Sequence, residues 1–203
     1  MPLDTIFALA GFAFVMSVSP GPGNFLLLAS GANFGFIRSL PLVLGISLGF
    51  LYMVVLVGLG LGQVFDIFPL TGHIIRLTCG IYVVWLAVKM ARSGSLGPQG
   101  EQPIGKPFSF AQAAALQLVN PKAWTVAFIL TASYVDPNRP AASLATLVPI
   151  FAFVNLPSIS LWAISGKALR RFLGQGQRLF VFNILMAALL VLSMVPVLLG
   201  STS

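Results

Sequence analysis

What most constrains this chain is how little charge interrupts its apolar runs. Six stretches, at 5–30, 40–63, 69–90, 109–133, 143–165 and 179–200, carry few ionisable residues. Each is long enough to cross about 30 Å of hydrocarbon at about 1.5 Å per helical residue. Only 7% of the 203 residues are charged, against about 25% in soluble domains. So few charges cannot cover a surface that faces water. The expected fold is therefore an all-α integral membrane protein of six transmembrane helices, forming a single domain over 1–203. The longest polar interruption, 91–108, is rich in Gly, Pro, Ser and Gln and reads as a flexible connecting loop.

The net charge of +7 does not mark a nucleic-acid partner, because the basic residues sit in short connections between apolar runs. Arg38, Lys89, Arg92, Lys106, Lys167, Arg170, Arg171 and Arg178 fall on one side of the bilayer. Arg76, Arg139, Asp4, Asp66 and Asp136 fall on the other. The positive-inside bias puts the first group in the cytoplasm and both termini outside. The first run lacks a basic n-region, carries Asp4, and is longer than an h-region, so it reads as a span and not a leader.

Composition also excludes chemistry. The single cysteine, Cys79, rules out an internal disulfide or a dithiol centre and reads as a small core residue. The single histidine, His73, reads as an interfacial residue where the loop after span two runs into the third stretch. With one histidine and no acid inside any span, a His–carboxylate metal site or protease centre cannot be assembled. No enzyme activity, metal or cofactor is expected.

Two spans are interrupted at matching points. "VSPGPGNFLLLAS" (18–30) and "VNPKAWTVAFILT" (119–131) align at an offset of 101 residues. Val18 then meets Val119, Ser19 meets Asn120, and Pro20 meets Pro121. At that offset span two falls on span five, while spans three and six match with slippage. Two three-span halves, at about 1–95 and 105–203, would enter the membrane from opposite sides as inverted repeats with broken first and fourth helices.

Proline removes an N–H and clashes with the preceding turn. Inside a bilayer, irregular backbone survives only where protein or water covers it. Ser19 and Asn120 are favoured N-cap residues, each followed by proline, so each break reads as the start of a half-helix. The unpaired N–H groups of Gly21, Gly23 and Asn24, and of Lys122, Ala123 and Trp124, would carry the positive dipole ends. Brought together, they form a cradle for a carboxylate.

Lys122 lies about 20 Å into its span, counting from Ser109 at about 1.5 Å per residue. Its burial costs about 2.5–3.5 kcal/mol or more. No acidic residue lies in a span to pair with it. Either the transported solute brings the counter-ion, or Lys122 snorkels or donates to backbone carbonyls exposed by Pro121. Candidate solute contacts are Ser19, Pro20, Gly21, Pro22, Gly23, Asn24, Asn120, Pro121, Lys122, Trp124 and Asn155. Asn155 and Pro157 interrupt span five. Tyr82 and Trp85 line a cavity or anchor an interface. Gly45 and Gly49, and Gly58 and Gly62, are spaced for close helix packing, within the chain or across a homodimer.

"SPGPGNFLLLASGANFGFIRSLPLVLGISLG", "GIYVVWLAVKMAR" and "LQLVNPKAW" together resemble the signature stretches of the LysE/RhtB family of amino-acid exporters. The resemblance covers the whole chain. It implies export of amino acids or close derivatives across a bacterial cytoplasmic membrane, driven by a proton or ion gradient. Carried over by position, Pro20, Gly21, Pro22, Asn120, Pro121 and Lys122 are the motif residues. Two positions depart from the pattern: Gly23 stands before Asn24, and Phe50 occupies a site where many relatives have a small or acidic residue. The expected partners are a small zwitterionic or anionic solute and the lipid bilayer. A channel or a non-transporting membrane subunit is the alternative.

Overall fold

A computed structural model describes residues 1–61, 69–92, 106–173 and 177–192. They form eight α-helices, with no strand among the described residues. Helix α1 (Leu3–Val18) and α2 (Pro22–Phe34) form one bent pair, turning by 59° across the proline-rich break. Helix α3 (Phe36–Leu56) follows after a single residue and widens into a π-type turn at Val57–Leu61. That one-residue connection is Gly35, whose φ of 79° lies where side chains with a Cβ are strained. Helix α4 spans Pro69–Arg92. Helices α5 (Phe110–Val119) and α6 (Pro121–Tyr134) form the second bent pair, turning by 71° at Asn120. Helix α7 spans Pro140–Leu173 and α8 spans Gln177–Leu192.

Length and apolarity qualify α3 and α7 as membrane-crossing helices, and each bent pair passes the same test when its two helices are taken together, as a broken span or a re-entrant loop. The described part of α8 is apolar but shorter. Large apolar side chains cover the outside: Phe153 is 83% exposed and Ile37 73%. Exposed apolar side chains in such number suit lipid surroundings better than water. The chain is thus an all-helical membrane protein.

Several expectations change. Asn155 and Pro157 do not interrupt their span, since α7 continues through both. His73 lies within α4 and not in a connection. Gly62, Asp66, most of the loop at 91–108, and the last part of the sixth span lie outside the described residues, as do the side chains of His73, Arg76, Cys79, Arg170 and Arg171.

The long helices pack on the broken pair from the other half of the chain. Helix α3 lies along α5 and α6, α7 lies along α1 and α2, and α3 and α7 touch each other. Helix α4 pairs with α8. Gly45 and Gly49 make the first of these crossings possible. A Cβ on Gly45 would strike the carbonyl of Phe110, and one on Gly49 would come within 2.7 Å of Ala114 Cα. Gly45 and Gly49 thus serve packing within the chain, one of the two roles expected for them. Gly31 and Gly166 do the same for α2 and α7: a Cβ on Gly31 would strike the Ala163 carbonyl, and one on Gly166 the Leu28 carbonyl. In lipid, such close backbone approach supplies much of the packing energy between helices.

Burial falls into two apolar clusters. One gathers Leu26, Leu42, Leu86, Met90 and Leu116 among others. The second gathers Leu9, Met53, Leu130, Leu147 and Phe151. The polar residues that sequence singled out lie along the seam between them.

Candidate functional site

The seam opens into a cavity of about 60 Å³, room for several water molecules. Its polar wall is Ser17, Asn24, Gln117, Asn120, Lys122 and Asn155, with Gly21 and Gly23 beside them. Its apolar wall includes Met16, Ile46, Phe50, Val126, Phe151 and Ile159.

The two breaks build this site differently. At the second, Asn120 caps α6 as expected: its Oδ1 accepts from the Lys122 N–H at 3.1 Å, and Pro121 takes the first helical position. At the first, Ser19 is not the N-cap. Its N–H donates to Val15 O, so it closes α1, and Gly21 precedes α2 with Pro22 in the first position. The reason is the second proline. A residue before proline is driven out of the helical region, so Gly21 cannot be helical and α2 cannot begin at Pro20. In both breaks the leading N–H groups, those of Gly23 and Asn24 and of Lys122 and Ala123, belong to residues of the cavity wall.

The last carbonyls of α1 gather donors. Asn24 Nδ2 reaches Ser17 O at 2.9 Å and Ser19 O at 2.8 Å. Lys122 Nζ, from the other bent pair, reaches Ser19 O at 2.6 Å, Ser19 Oγ at 2.8 Å and Pro20 O at 3.5 Å. An ammonium at a helix C-terminus meets both the unpaired carbonyls and the negative end of the dipole. Lys122 does find carbonyl acceptors, but they belong to Ser19 and Pro20 across the site and not to the break at Pro121, where they were expected. Those acceptors carry no net charge, and no Asp or Glu lines the cavity.

A second polar chain crosses the seam. Ser47 Oγ donates to Asn155 Oδ1 at 2.8 Å, and Asn155 Nδ2 donates to Ser17 Oγ at 2.8 Å, tying α3, α7 and α1 together. Phe50 and Phe151 meet below it with ring centroids 5.1 Å apart.

Of the residues expected at the site, Gly21, Gly23, Asn24, Asn120, Lys122 and Asn155 line the cavity. Ser19 and Pro20 contribute through oxygen atoms that hold Lys122, while Pro22 and Pro121 set the helix starts. Trp124 stands apart from the lining: its indole N–H donates to Leu118 O at 2.8 Å and its ring packs on Phe128. Tyr82 and Trp85 stack on each other away from the cavity, with Tyr82 bonded to Gln112 O at 2.7 Å. Sequence reasoning missed Ser17 and Gln117. Their only signal is that each is a polar residue within one turn of a break. Among the described residues no group of His, Cys, Asp or Glu could hold a metal ion.

An all-helical membrane protein that turns polar groups inward to a cavity between two broken helix pairs is built as a translocator and not as an enzyme. The chain belongs to the LysE type translocator family, whose model matches residues 14–200. It is similar to the cysteine/O-acetylserine efflux proteins of Escherichia coli, Shigella flexneri and Shigella sonnei, at 32% identity over 183 residues, covering 89% of this chain and 90% of each relative. No solved structure matches it.

Proposed function

We propose that this chain is a carrier that exports an amino acid or a close derivative across the cytoplasmic membrane of a bacterium. The observation that carries the reading is the convergence of both helix breaks on one polar cavity. The N-terminal ends of α2 and α6, with Lys122 at the edge, form a seat for the solute carboxylate. Export agrees with the names of the relatives, which are efflux proteins for cysteine and O-acetylserine. Coupling to a proton or ion gradient, as antiport, completes the scheme.

The carrier is a six-span bundle of two inverted three-span halves, with both termini outside. Two lines of geometry support this. The long helix of each half packs on the broken pair of the other. Residues 101 apart also face each other: the rings of Phe50 and Phe151 meet at a tilt, and a Cβ on Gly21 would strike the Lys122 side chain. Contacts between equivalent residues are what a pseudo-twofold axis through the cavity produces. The seam between the two apolar clusters is then where the halves rock to expose the site alternately.

Counterflow in proteoliposomes tests the proposal. Vesicles loaded with unlabelled O-acetylserine should accumulate labelled O-acetylserine transiently, with saturation, and net export should follow an imposed pH gradient. A flux linear in concentration, without counterflow, would make the protein a channel or a partner subunit instead.

A further inference from the structure

One side chain of the cavity wall takes no part in holding the breaks together. Gln117 lies on α5, three residues before Asn120, and is only 3% exposed. Its Nε2 is sealed from solvent, and no group among the described residues accepts from it. A buried amide donor without a partner is costly, and an apolar residue of the same shape would remove the cost. The other half of the chain shows that alternative: at the 101-residue offset the equivalent position is Met16, which also lines the cavity. Among the other amide and ammonium groups of the wall, Asn24 is engaged with α1 carbonyls, Asn155 with Ser17 and Ser47, Lys122 with Ser19, and Asn120 through its Oδ1 with the Lys122 N–H.

We infer that Gln117 is a specificity-determining residue whose amide N–H donates to an uncharged oxygen on the solute's side chain, a hydroxyl, ether or carbonyl. The inference rests on the carrier reading above. The positive helix ends and Lys122 are the electrostatic match for the carboxylate. An uncharged amide beside the apolar Phe50 and Phe151 matches an uncharged acceptor. A solute that supplies the acceptor satisfies the donor. A solute without one leaves it unpaired at the moment of binding, which is how a polar pocket rejects a near-isostere.

The test uses the full-length protein and the variant Gln117→Met, with labelled O-acetylserine, serine and 2-aminobutyrate as probes. The first two carry a side-chain oxygen and the third does not. In the variant, counterflow KM should rise about tenfold for the oxygen-bearing probes and stay unchanged for 2-aminobutyrate. The melting temperature of the purified variant should not fall, because no protein hydrogen bond is lost. Unchanged KM for all three probes would overturn the inference, placing the Gln117 amide outside the solute contacts. An equal rise for all three would overturn it as well, since the contact would then be with the shared backbone groups. So would a melting temperature lowered by several degrees, which would reveal a structural partner. Absence of saturable counterflow in the unaltered protein would remove the carrier reading and this inference with it.

Discussion

Lys122 Nζ lies 2.6 Å from the carbonyl oxygen of Ser19, a residue 103 positions away in the chain. The contact joins the start of one half-helix to the end of another. It also places the membrane's most costly kind of side chain where backbone oxygen is already unpaired. Lys122→Met would delete a charge-assisted bond and leave the α1 carbonyls short of a donor. Such bonds contribute about 1.5–3 kcal/mol, so counterflow efficiency should fall by roughly ten- to hundredfold. Transport assays of purified, folded variant measure this directly, and wild-type efficiency would contradict it.

Gly21 gives a steric version of the same test. A Cβ there would come within 2.8 Å of Lys122 Cδ. The backbone at Gly21 is extended and suits any residue, so only the lysine stem has to move. Gly21→Ala should therefore weaken transport by about three- to tenfold while barely changing stability. Gly11→Ala, where a Cβ meets nothing within 4 Å, should do neither. Counterflow and thermal melting of the two variants side by side check the contrast.

The glycine crossing of α2 and α7 leaves no room to yield. A Cβ on Gly166 meets the backbone carbonyl of Leu28, and one on Gly31 meets that of Ala163. Either alanine forces helix axes apart, with an expected loss of about 1–3 kcal/mol or more. The double variant should lose less than the two losses added, because one separation serves both. Unfolding in detergent measures the three values.

How far such contacts could be foreseen differs by residue. The breaks at Pro20–Pro22 and Pro121 were legible because proline acts through its own covalent structure, wherever the chain folds. The cap at Asn120 followed from the same local rule. Ser19 was misread because the second proline moves the helix start by two residues, an effect carried by Gly21 and not by Ser19. Gly45 and Gly49 announced a close approach but not its partner; that partner, α5, lies some 65 residues on, and only tertiary packing identifies it. Gln117 gave no signal beyond its polarity, since an unpaired amide becomes visible only when everything around it has been placed.

Asn33 and Asn183 were invisible for the same reason. Their amides exchange two hydrogen bonds, of 2.7 and 3.0 Å, between α2 and α8, and both residues are fully buried. Asn33→Leu alone strands a buried amide and should cost about 1–3 kcal/mol, whereas adding Asn183→Leu should recover part of that loss. A double-mutant cycle on thermal or denaturant unfolding reports the coupling, and strictly additive losses would deny it.

The central claim is that one solute site draws on both broken helix pairs, and solute protection of cysteines tests it most directly. With Cys79 replaced by alanine, single cysteines at Gly23 and at Ala123 place one thiol in each half of the cavity wall. O-acetylserine should slow methanethiosulfonate labelling of both thiols, with the same half-protecting concentration. Protection of only one position, of neither, or at two unrelated concentrations would contradict a shared site.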